Sequence, residues 1–220
     1  MLISFEHVST DGGLSDLNLK IPVSGCTVID DQAEAQSPHI LRVLAGLENI
    51  TDGLLKIDGA PSDEFFGRRP LHQVFGYVFD EGIMLSNLSL RENIMLPLHR
   101  FGKDMSGEDV QSRLDGWLRI FGLDIDLARR PSEVNAARLK FLSYVRALML
   151  EPDILIIDDP YYVLNKKERT VMLSVLRELR TEKAMLIAST DDDFTSGFAE
   201  HTIELGEIST TNLTRGSAKA

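Results

Sequence analysis

The residues of this chain best suited to chemistry are carboxylates. Asp30 and Asp31, Asp80 and Glu81, Asp158 and Asp159, and Asp191 each stand at or just beyond the end of a short apolar run, with Glu34 close behind the first pair. Acids placed together in this way can hold a divalent cation through hard oxygen ligands or move a proton. Acid clusters are also common as plain solvated surface. The other reactive side chains offer less. His7, His39, His72, His99 and His201 show no metal-ligand spacing and read as surface or packing residues. Cys26, the single cysteine, lies in an apolar run and reads as an inert core thiol with no internal disulfide partner.

The elements that must position these acids are legible from the apolar pattern. Cys26 to Ile29, Val74 to Phe79, Ile154 to Ile157 and Met185 to Ala188 are short continuous apolar runs, as in strands buried on both faces. Between them, Ile40 to Leu47 reads as a helix entered through Pro38, and Lys166 to Arg180 as a helix burying Val171, Leu173, Val175, Leu176 and Leu179. This βαβ order predicts a mainly parallel sheet. Leu2 to Val8 and Leu17 to Ile21, joined through Asp11-Gly12-Gly13, predict an antiparallel layer, and residues 52 to 60 a further hairpin. From about Ser86 to Glu133 the pattern is helical only, with Leu90, Ile94 and Leu96, then Val110, Leu114, Trp117, Leu118 and Phe121, at spacings of three and four. Trp117 is expected in the core of that insertion. The predicted organisation is an α/β core with an antiparallel β layer over residues 1–85 and 137–213, a helical subdomain over 86–136 and a loose tail over 214–220. The acids then share the carboxyl ends of the strands, where open α/β sheets bind ligands. Like charges about 4 Å apart repel by roughly 4 kcal/mol at an effective dielectric near 20, so the rim is expected to repel polyphosphate unless a cation intervenes.

Composition narrows the partners. Of 220 residues, 34 are acidic and 23 basic, a net charge of −11 that opposes binding to nucleic acid or anionic lipid. No apolar stretch approaches the roughly 18 residues of a membrane span, and the opening Leu2-Ile3-Ser4-Phe5 follows no basic segment. The expectation is a cytoplasmic protein that meets a membrane only through a partner.

Several segments, in order, resemble the nucleotide-binding subunit of ABC transporters, a P-loop NTPase-like fold. Ile40-Leu41-Arg42-Val43-Leu44-Ala45-Gly46-Leu47 and Gly53-Leu54-Leu55-Lys56-Ile57-Asp58-Gly59 are similar to the helix and hairpin after the family's phosphate loop. Phe75 to Phe79 resembles the strand before its glutamine loop, and Leu90-Arg91-Glu92-Asn93-Ile94-Met95-Leu96-Pro97-Leu98 the start of its helical subdomain. Arg146-Ala147-Leu148, Glu151-Pro152 and Ile154 to Pro160 resemble the signature helix and Walker B strand. The phrase Glu92 to Leu98 leans toward the subfamily of lipoprotein and phospholipid exporters, and hence toward lipid transport.

The resemblance implies ATP and magnesium as ligands, yet the matching residues depart from what holds them. A working phosphate loop reads G-x-x-x-x-G-K-[ST], because glycine N–H groups close on the phosphates, Lys neutralises them and the hydroxyl holds magnesium. Here Asp31, Glu34 and Gln36 replace glycines, Ser37 the lysine and Pro38 the hydroxyl, with His39 following. The signature loop corresponds to Val134, Asn135, Ala136, Ala137 and Arg138, where Asn135 can still cap a helix but the glycines are gone. The family's glutamine matches Asp80 and its switch histidine Thr190. Only Asp158, matching the metal-binding carboxylate, and Asp159, matching the catalytic Glu with one methylene fewer, keep their chemistry. The expected reading is a pseudo-ATPase with a degenerate Walker A segment, no cofactor and no catalytic residue, with Asp158 alone a possible metal ligand. Such a subunit is expected on the inner face of the membrane, bound to a transmembrane permease through Met84, Leu85, Leu90 and Glu92, and paired with itself or with another ATPase subunit. Two alternatives stand beside it, a divergent ATPase using Asp158 and Asp159, and a metal-responsive cytosolic binding protein built on the acidic rim.

Overall fold

The computed structural model describes residues 1–31, 36–102 and 105–205. The strands are β1 (Leu2–Thr10), β2 (Leu17–Pro22), β3 (Cys26–Asp30), β4 (Ile50–Ile57), β5 (Ala60–Pro61), β6 (Phe75–Val78), β7 (Ile154–Asp158), β8 (Ala184–Ala188) and β9 (His201–Glu204). The α-helices are α1 (Ser37–Leu44), α2 (Ser62–Arg68), α3 (Leu71–Val74), α4 (Leu90–Phe101), α5 (Gly107–Ile120), α6 (Ala136–Leu148), α7 (Lys166–Leu179) and α8 (Asp192–Thr195). They fall into two compact units, Met1–Leu71 with the chain from Ala184 onward, and His72–Lys183.

In the first unit β1 pairs antiparallel with β2 and β4, and Ile3, Phe5, Val8, Leu17, Ile21, Leu55 and Ile57 are buried there. The ladder slips at His7, which has φ of 53°. Opposite it only glycine fits: Gly53 has φ of 86°, and a Cβ there would run into the His7 carbonyl oxygen. The expected hairpin is present as β4 and β5, closed with Ile57 opposite Ala60. The parallel part of this unit has β3 between β8 and β9, in register from Cys26↔Met185 to Ile29↔Ala188 and from Thr27↔His201 to Asp30↔Glu204. Cys26, Val28 and Ile29 have no exposure, as expected of a strand covered on both faces. Pro38 sits in the first turn of α1, where a missing N–H costs no helical bond. The helix stops at Leu44, three residues before the expected end, as the chain turns at Gly46 with φ of 68°.

In the second unit β6 and β7 run parallel, from Phe75↔Ile154 to Val78↔Ile157, with α6 packed on β6 and both α4 and α5 packed on α6. The boundaries expected at residues 86 and 136 thus lie inside this unit, because the inserted helices share one core with α6. Arg113 fastens α5 to the end of α6, donating to the Met149 carbonyl at 2.8 Å and pairing with Glu151 at 2.9 Å. Leu114 and Phe121 bury fully, whereas Trp117, expected in the core, is only half-buried. On α7 the buried face is Met172, Val175, Leu176 and Leu179. This corrects the expectation for Val171, which is exposed, and Leu173, which is half-covered; the i, i+3, i+4, i+7 stripe starts at Met172. None of the described helices is long and apolar enough to cross a membrane.

Candidate functional site

In the first unit a carboxylate from the end of β3 meets the start of α1. β3 ends at Asp30, and the next residue, Asp31, is buried with its Oδ2 accepting the Ser37 backbone N–H at 2.7 Å. The open N–H groups at a helix N-terminus attract anions, and here the anion is the chain's own carboxylate. Gln36 occupies the capping position without a side-chain cap, Ser37 is buried and Pro38 offers no N–H. Glu34 lies outside the described residues, as does the expected loose tail. Nearby, His39 is held by Glu48, Nδ1 to Oε2 at 2.7 Å, and Thr10 donates its hydroxyl to the other Glu48 oxygen. Burial disfavours ionised Glu48, but the hydrogen bonds from Thr10 and His39 and the charges of His39 and Arg42 outweigh it and hold the carboxyl below its ordinary value. At the end of β8, Thr190 is exposed and Asp191 caps α8 by accepting the Asp193 N–H at 3.0 Å.

In the second unit the acids are likewise drawn into local bonding. Asp159, expected at the catalytic Glu position, sits at φ of 32° and accepts the N–H groups of Tyr161 and Tyr162 at 3.0 and 3.1 Å. A carboxylate closing a turn in this way is oriented toward backbone. Asp158 is buried, with the Tyr77 hydroxyl at 3.4 Å from Oδ2. Asp80 accepts the Glu81 N–H at 2.7 Å. A buried cation, Lys140, lies behind these acids. This side chain has no exposure and donates from Nζ to the carbonyls of Phe79, Asp158 and Asp159 at 2.8, 3.0 and 2.8 Å. Desolvation brings its pKa down to about 8 even though Asp159, Asp158 and Asp80 favour the charged form. Tyr144 is fully buried beneath the same cluster, 5.9 Å from ring centroid to Nζ, and burial pushes its phenol well above the ordinary value. Among the described residues no three His, Cys, Asp or Glu side chains come together as a ligand set.

The residues expected at the signature positions lead into α6. Asn135 caps α6 as expected, accepting the Arg138 N–H at 2.9 Å; Val134 is half-buried, Ala136 and Arg138 are exposed, and Ala137 packs inward.

The expected docking residues part company. Leu90 is fully buried, and Glu92 closes a capping box with Ser89 at the start of α4. Met84 is half-buried and Leu85 is 51% exposed, beside Ile83 at 50%. Their loop is fastened by Asn93, which is fully buried: its Oδ1 accepts the Leu85 N–H at 2.7 Å, and its amide donates to the carbonyls of Leu85 at 3.0 Å and Ser89 at 2.9 Å.

Lys140, Asn93, Glu48 and Thr10 were not singled out from the sequence. Lys140 did carry a signal: with Ala137, Phe141, Tyr144 and Leu148 buried on α6, positions three before and four after it lie on the packed face. A lysine on an apolar stripe needs buried acceptors.

The comparisons agree with this architecture. Residues 39–162, more than half of the chain, match the ABC transporter family model. The chain is 28% identical to the macrolide export ATP-binding/permease protein MacB of Mannheimia succiniciproducens, over 92% of its own length and 32% of that protein. To the molybdenum import ATP-binding protein ModC of Methylococcus capsulatus it is 26% identical, over 91% of the chain and 56% of that protein. It therefore spans about a third of one of these relatives and just over half of the other. Among solved structures it is similar to the dimeric bacterial ABC transporter cassette MJ0796, with a TM-score of 0.78, 23% identity, and 93% and 94% of the two chains covered. The fold is that of a P-loop ABC ATPase, and the chain belongs to the ABC transporter family.

Proposed function

We propose that this chain is a noncatalytic ABC subunit that serves as a structural or regulatory docking platform for a transmembrane permease. The observation that carries the reading is the Asp31 carboxylate on the Ser37 N–H, an internal anion at the helix end where the family receives phosphate. The bonding of Asp159 to two backbone N–H groups supports it, since a general base must reach its water. The docking half is supported by the 83–85 segment, whose apolar side chains stand outward on a backbone clamped by Asn93. An apolar helix laid against such a surface needs no nucleotide. The permease partner, the pairing with a second ATPase-like subunit and the place on the inner membrane face belong to the same proposal. Phosphate release from millimolar Mg-ATP should not exceed the blank, and Asp159→Asn, which keeps the acceptor oxygen, should change nothing; turnover abolished by that substitution would restore the divergent-ATPase reading. Leu85→Glu should release the folded protein from membranes in its own cells, because a charge entering an apolar contact is costly. If the folded variant stays on the membrane, docking through this segment is wrong.

A further inference from the structure

Lys140 presents three N–H donors, and all three are used on backbone carbonyls from two distant stretches of chain, Phe79 at the root of the loop after β6, and Asp158 and Asp159 at the end of β7. The loop is seated directly on the lysine's own backbone. Gly82 has φ of 66°, and a Cβ there would lie 2.6 Å from the Lys140 nitrogen, so only glycine lets the chain come this close. Asn93 fastens the far end of the same loop at Leu85 and Ser89. Between the two fastenings Ile83 and Leu85 face outward. An apolar side chain of similar length would fill the volume but leave the three carbonyls without this donor.

We propose that Lys140 is a positioning residue, an internal cation that clasps the root of the 79–89 loop to the end of β7 and keeps that loop ordered with no nucleotide or metal bound. The purpose assigned to the loop rests on the docking reading; the clasp itself does not.

Hydrogen exchange of the purified full chain, followed by mass spectrometry, tests the clasp apart from docking. In the wild type without nucleotide, amides in 79–85 and 159–164 should be protected, and millimolar Mg-ATP should not change their rates. Lys140→Met should speed exchange in both segments by about tenfold or more while peptides from α4 and α7 keep their rates, since local opening is governed by local bonding. Unchanged exchange in Lys140→Met would overturn the proposal. So would a wild type whose two segments exchange freely alone and become protected only with Mg-ATP, an outcome that needs no variant to fold. Should the clasp hold while Leu85→Glu remains on membranes, the docking reading fails and the positioning role of Lys140 stands.

Discussion

The start of α1 and the loop between β6 and α4 are both places where backbone polar groups would lie open, and the chain closes them in opposite ways. At α1 the Asp31 carboxylate takes the Ser37 N–H, and on the proposed function the bond that stabilises the helix end would also compete with phosphate. At the loop, Asn93 and Lys140 grip carbonyls and one N–H from the inside and leave the outer apolar side chains exposed. A buried hydrogen bond therefore has no fixed functional sign. It silences a site when it uses the recognition groups, and prepares one when it uses only the scaffold behind them.

The largest effect that could break the contrast is at Asn93. Asn93→Leu leaves the Leu85 N–H and the carbonyls it served without partners, and should lower unfolding free energy by about 3 kcal/mol. Urea titration checks this, and a loss below about 1 kcal/mol would mean the loop is held otherwise.

Lys140 sharpens the comparison through pH. Its folded pKa, about 8, lies below the ordinary 10.5, so the unfolded chain binds more protons between those values and stability must rise with pH there. Full relief amounts to an order of 3 kcal/mol, at about 1.4 kcal/mol per unit. The difference between wild type and Lys140→Met, followed by urea midpoints from pH 7 to 10.5, isolates this from tyrosine titration. At pH 7 the loss of the three carbonyl bonds should outweigh the relieved burial, leaving Lys140→Met about 1.4 kcal/mol less stable than wild type, the equivalent of a tenfold change in exchange. A wild type that loses stability relative to Lys140→Met as pH rises from 8 would contradict the assignment.

Asp31→Ala removes an N-terminal acceptor and should cost about 1 kcal/mol, as helix caps do. Leu85→Glu should be the smallest, within about 0.5 kcal/mol, since the side chain already stands half in solvent. Its effect belongs to membrane association.

The sequence disclosed what period and order can carry. The apolar runs 26–29, 154–157 and 185–188 fall within β3, β7 and β8, and Pro38 at the head of α1 and Asn135 as a cap were both legible, since each depends on neighbouring residues alone. The acid-rich strand ends were legible as composition but not as bonding. That Asp159 turns back on Tyr161 and Tyr162 depends on a backbone angle of 32°, and that Lys140 faces Phe79, 61 residues away, depends on packing. The helix face on α7 moved from Val171 to Met172 because several apolar residues in a row fit more than one stripe.

The central claim is that the chain supplies its own anion where the family receives phosphate. Titration calorimetry of the full chain with Mg-ATP tests it most directly. The account predicts no saturable heat up to millimolar nucleotide. A dissociation constant in the low micromolar range, about −8 kcal/mol of binding free energy, would contradict it, because phosphate would then have to displace the Asp31 carboxylate from the Ser37 N–H.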